Sequence, residues 1–234
     1  MGVVHLAYTF NPEEFHSSLE QAVVENGTVS QERFLRYVKH IVSRASRDTK
    51  DALDTICFDE EWFDISDSEI HHNDDWYLVA LTGFLRASVR LSNLSFACLE
   101  LTLPILNWSA ESVRLLLEGQ FLRSLIKSSG NEALVKTCFG QRYQVTWLGL
   151  ESIMYLSTKL TACEREFGSA NIELLNAIAV LPSHFAQNRE LSGILKQAYT
   201  EVYERLQTAT RQGHALLLMN DVTSYRPRHQ LEPI

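Results

Sequence analysis

Between Asn188 and Arg211 the apolar residues Leu191, Ile194, Leu195, Ala198, Tyr199, Val202, Leu206 and Ala209 recur every three or four positions. That spacing gathers them on one side of a helix with 3.6 residues per turn and offers no consistent face to a strand. A long amphipathic helix needs a broad apolar surface to lie against, so the rest of the chain has to supply one.

Helix signals recur upstream. Asn11 reads as an N-cap with Pro12 at the first helical position and Glu13 and Glu14 in the first turn, and Asn26-Gly27 closes that segment. Ser30 opens a second helix with Phe34, Val38, Ile41, Val42 and Ala45 as its apolar stripe, and a shorter one is expected from Thr49 to about Cys57. After Asp74 and Asp75, the run WYLVALTGFLRASVRL is apolar on nearly all sides, which predicts a buried central helix. Leu94 to Leu103 reads as a further helix stopped by Pro104; another begins at Ser109 and is interrupted at Gly119. Thr146 to Phe167 reads as a second central helix closed by Gly168, followed by a short one from Asn171 to Leu181. Only Val3 to Phe10 and Tyr143 to Val145 have strand character. The expectation is an all-α fold: one irregular multi-helix domain over residues 1–224 with two buried central helices, a short N-terminal strand and a flexible tail over 225–234.

Composition bounds the function. Hydrophobic residues make up 45% of 234 positions, enough for a sizeable core without staples. Cys57, Cys98, Cys138 and Cys163 lie far apart with no C-x-x-C pair, a pattern of reduced, buried thiols. No apolar run is long enough to span a bilayer and the N-terminus lacks the pattern of a secretory signal, so a cytoplasmic protein is expected. A net charge of −8 argues against a dedicated nucleic-acid binder. Oligomeric state is not legible.

Several chemistries have no motif. No two glycines lie within two positions of each other, which removes Gly-rich phosphate loops, and there is no G-x-S-x-G or H-E-x-x-H. E-x-x-H occurs at Glu13/His16 and at Glu69/His72, neither in the middle of a long helix where a di-iron bundle would need it. No cofactor is expected. A divalent-metal site using His71, His72, Asp74 and Asp75 is the weak alternative to a simpler role for the two aspartates, compensation of a helix N-terminus.

Three features point to function. Residues 59 to 77, DEEWFDISDSEIHHNDDWY, hold eight carboxylates and two tryptophans without one Lys or Arg. Aromatic anchors ringed by acids suit a basic protein partner, so Asp59, Glu60, Glu61, Trp62, Phe63 and Asp64 are the candidate binding residues of a non-catalytic, adaptor- or immunity-protein-like interaction domain. Alternatively, Arg86 and Arg90, four residues apart on the expected central helix, form an anion pocket of a ligand-binding domain or enzyme. A third reading uses Arg33, Arg36, His40, Arg44 and Arg47, which fall within about 80° on the helix expected over 31–50, to contact nucleic acid. The acids of 59–75 are otherwise free to fold back onto that basic face.

Overall fold

The computed structural model describes residues 4–55, 73–138, 145–168, 171–181 and 190–219. A five-stranded antiparallel sheet runs through its centre with helices on both faces, so the fold is mixed α and β. This corrects the all-α helical-bundle expectation. The strands are β1 (Val4–Phe10), β4 (Ser88–Ser92), β5 (Gln120–Phe121), β6 (Val145–Leu148) and β7 (Ala215–Met219), in the spatial order β4-β1-β7-β6-β5. Leu6 faces Arg90 on one side and Met219 on the other, while Thr146 of β6 faces Leu218.

Alternation along the strands sorts the core into two layers. Tyr8, Phe10, Val145, Trp147, Ala215, Leu217 and Met219 point to one face. There they meet Phe15 and Leu19 of α1 (Pro12–Val23), Phe34 and Val38 of α2 (Gln31–Ser43), and Ala52 and Leu53 of α3 (Arg47–Thr55). The buried body of α4 (Asn73–Thr82) completes this layer with Leu125 and Ile126 of α7 (Leu122–Ser128) and Leu134 of α8 (Glu132–Thr137). Ala7, Leu91, Leu148, Leu216 and Leu218 point to the other face. That layer is built by α5 (Asn93–Thr102), α6 (Ala110–Glu118), α9 (Leu150–Ala162), α10 (Glu164–Gly168), α11 (Ile172–Ile178) and α12 (Leu191–Gln212). The apolar stripe of α12 is buried as its periodicity predicts, against α5, α9 and β4.

Both expected central helices are in fact a helix joined to a strand. The run after Asp75 is helical only to Thr82; after a turn at Gly83–Leu85 it becomes β4, where Ser88 and Arg90 are exposed and Leu91 is buried. Arg86 N–H donates to the Thr9 carbonyl and Thr9 N–H to that of Ala87, so β1 captures the segment as an edge strand. The segment from Thr146 starts inside β6, whose four residues are all buried, and Gly149 separates it from α9. β7 follows the left-handed Gly213 that caps α12 and is buried along its whole length.

Local signals fare better. The Asn11 side chain accepts from the Glu13 and Glu14 amides, and Ser30, Ser109 and Asn171 cap their helices in the same way. Asn26 and Gly27, at φ 51° and 75°, do not merely end α1 but form the turn of a small hairpin, β2 (Val24–Glu25) with β3 (Thr28–Val29). Gly119 sits at φ 73°, and a Cβ there would lie 2.9 Å from the Trp147 carbonyl oxygen and 2.9 Å from Thr146 Oγ1. It ends α6 and lets the chain turn directly into β5 against β6.

Candidate functional site

The acidic-aromatic residues Asp59, Glu60, Glu61, Trp62, Phe63 and Asp64, like His71, His72 and the tail from 225, lie outside the described residues. Asp74 and Asp75 fall in the first turn of α4. Among the described residues no group of three or more His, Cys, Asp or Glu is placed to hold a metal ion, and no helix is long and apolar enough to cross a membrane.

Arg86 and Arg90 do not share a helix. Arg86 lies before β4 and reaches Glu14 of α1, Nη2 to Oε1 at 3.2 Å, with both side chains about half exposed. Arg90 is exposed on the edge strand opposite Leu6. The basic face of 31–50 is also divided, because α2 ends at Ser43 and Arg47 and Lys50 belong to α3. Arg33 donates from Nε to the Ala22 carbonyl at 3.1 Å and lies 3.7 Å from Glu25; Arg36 is held by Glu32 at 2.6 Å. His40, Arg44 and Arg47 are exposed.

A polar constellation that motif reading missed lies between α6 and α9. Ser109, the N-cap of α6, accepts from the Ser112 amide and donates its hydroxyl to Ser112 Oγ at 2.9 Å. Ser112 itself is only 5% exposed, so its hydroxyl is held in place. Across from it, Tyr155 and Lys159 stand one turn apart on α9, and both reach the same atom: Tyr155 Oη and Lys159 Nζ each lie 3.3 Å from Ser112 Oγ. The Lys159 ammonium is 4.7 Å from the centre of the Trp108 ring and 5.5 Å from that of Tyr155, a cation over two aromatic faces. Trp108 is buried, and its indole N–H reaches Cys163 Sγ at the end of α9, which pins the two helices together. Hydrogen bonding from Ser112, helped by the Lys159 ammonium, holds the Tyr155 phenol below the usual tyrosine range against partial desolvation and, more weakly, Glu111. Tyr37 and Tyr199 go the other way, both pushed up first by burial, Tyr199 to about 12. Tyr155 is 51% exposed and Met154 beside it 55%. The Tyr-x-x-x-Lys spacing was visible in the sequence; the hydroxyl that joins the pair comes from forty-three positions upstream and only the tertiary fold supplies it.

A second buried polar group lies on the same side of the sheet. Arg205 of α12 is fully buried, and burial lowers its pKa to about 10, with Glu201 countering that shift. Its Nη2 donates to the His5 carbonyl at 3.3 Å, while Nε and Nη1 have no partner among the described residues. Glu201 turns its own oxygens to the Ser92 amide at 2.8 Å and to Gln197 Nε2 at 2.6 Å. Comparison of the chain with protein-family models, curated proteins and solved structures finds no match.

Proposed function

We propose that the protein is a non-catalytic interaction protein that docks a basic protein partner through the acidic-aromatic stretch containing Asp59, Glu60, Glu61, Trp62, Phe63 and Asp64. In this reading Trp62 and Phe63 provide buried contact and the carboxylates accelerate encounter and set the preference for a cationic surface. The competing account has the acids neutralised internally by Arg36, Arg44 and Arg47. The observation that supports the partner-facing account is the engagement of Arg36: it is already bound to Glu32, an acid of its own helix, at 2.6 Å.

The test is a native pull-down, followed by affinity measurements of the recovered partner against wild type and against a protein carrying Asp59→Asn, Glu60→Gln, Glu61→Gln and Asp64→Asn. A partner-facing patch loses affinity in a salt-sensitive manner while its melting temperature stays within a degree or two. An internal clamp gives the opposite pair of results, a lower melting temperature with affinity retained, and that outcome would overturn the proposal.

A further inference from the structure

We infer that Tyr155 is a nucleophilic tyrosine, a site of covalent modification by electrophiles that deliver a tetrahedral, oxygen-bearing phosphoryl or sulfonyl group, with the Lys159 ammonium facing that group's oxygens and the Ser109–Ser112 hydroxyl chain orienting the phenol. Lys159 supplies the charge at this site. It is only partly exposed, forms no ion pair among the described residues, and lies over aromatic rings in a chain that carries a net charge of −8. Its positive charge is therefore directed at hydroxyl oxygens rather than consumed by a carboxylate. Ser112 Oγ is the common centre, 3.3 Å from the phenol, 3.3 Å from the ammonium and 2.9 Å from Ser109 Oγ. Charge-assisted hydrogen bonds of this kind are stronger than neutral ones, and they favour the charged form of the phenol.

Nucleophilicity needs access as well as charge. The phenol has both: half of the side chain is open to solvent, while the groups that stabilise its anion are fixed by the buried Ser112 and Trp108. In the reaction the phenolate oxygen attacks the phosphorus or sulfur centre and the new O–P or O–S bond forms. The bond to the leaving group (a nucleoside diphosphate from a nucleoside triphosphate, or fluoride from a sulfonyl fluoride) breaks with its electron pair, and the phenol proton passes to water. Negative charge that develops on the transferred group's oxygens falls beside the Lys159 ammonium, which has N–H donors beyond the one held by Ser112, and is stabilised there.

An aryl sulfonyl fluoride, read by peptide mass spectrometry on the full chain, is the probe. Tyr155 is expected to be modified before the other accessible tyrosines, with a half-maximal rate at a pH below 10, the ordinary tyrosine value. Lys159→Met and Ser112→Ala should each slow labelling roughly tenfold or more, as expected for loss of a hydrogen bond to a charged group, and Lys159→Arg should restore most of the rate. Circular dichroism of each variant checks that the fold is retained. The wild-type comparison stands without any variant: labelling of Tyr155 no faster than that of the other tyrosines, or a pH profile centred at or above 10, overturns the inference.

Discussion

The Arg205 guanidinium donates to the main-chain carbonyl of His5 at 3.3 Å, joining α12 to β1 across two hundred positions of sequence. The same side chain has no exposed surface, and two of its nitrogens lack partners among the described residues. Desolvation of a guanidinium is expensive, and one long hydrogen bond does not offset it. Arg205→Met, which keeps the volume and removes the charge, is expected to leave stability unchanged or raise it by up to ~4 kcal/mol. Arg205→Ala leaves a void instead and is expected to cost ~2–5 kcal/mol. Urea unfolding of the two variants decides; a methionine variant as unstable as the alanine one would show that the charge itself holds the sheet to the helix.

Gly119 combines a positive φ with a main-chain atom of β6 where its side chain would go. Alanine there meets two penalties, a left-handed conformation and contact with the Trp147 carbonyl at 2.9 Å. Gly130, at φ 71° with nothing within 4 Å of its Cβ position, meets only the first. Gly130→Ala is therefore expected to cost about 1–2 kcal/mol and Gly119→Ala clearly more, with the difference measuring the close approach of α6 to β6. Equal melting temperatures for the two variants would refute this.

Burial pushes the Glu201 carboxyl up, but hydrogen bonds from Gln197, the Ser92 amide and the Ser95 and Ser92 hydroxyls together hold it below 4.5, its ordinary value. A carboxyl lowered in the native state stabilises fully above 4.5 and loses that contribution as pH falls through its native pKa. The stability difference between wild type and Glu201→Gln should therefore be constant from pH 5 to 7 and shrink in more acidic buffer. A difference that grows on acidification would reverse the assignment.

His16 has its own window. Burial lowers its pKa from 6.5, against a main-chain hydrogen bond at Leu125 that raises it, and its buried Nε2 has no partner among the described residues. The unfolded chain takes up a proton at about pH 6.5 and the native one does so only at lower pH, so stability declines as pH falls below 6.5. Denaturant titrations at pH 7.5 and 5.5 should show this decline in wild type and a smaller one in His16→Gln.

What the sequence disclosed was local. The caps at Asn11, Ser30, Ser109 and Asn171 need only a few neighbouring residues, and each is in place. The stripe of α12 repeats often enough for its period to be unmistakable. The strands failed for a different reason in each case. Arg86 and Arg90 are four apart, a separation that puts two residues on one side of a strand as well as of a helix. Ala215–Met219 is buried on both faces, so it shows no alternation, and a short continuous apolar run does not distinguish strand from helix. Val145–Leu148 has the same uniform burial and runs almost directly into α9, which lent it helical company. Tertiary pairing, with β1 as the template for β4 and β7, made decisions that no local window contained. The Tyr155 constellation escaped notice likewise, since Ser112 belongs to another helix.

The position of β7 between β1 and β6 has a kinetic consequence. Until Ala215–Met219 is in place, the sheet exists only as two separate pairs, β4 with β1 and β6 with β5. Each pair then has an unpaired edge along the strand that β7 will join, and the apolar faces of both have no common layer to pack on. Closure depends on contacts between distant parts of the chain, an arrangement associated with slow folding. During biosynthesis the partly made chain carries two open edges of the kind that invite aggregation, and they disappear together when the last described strand slides in.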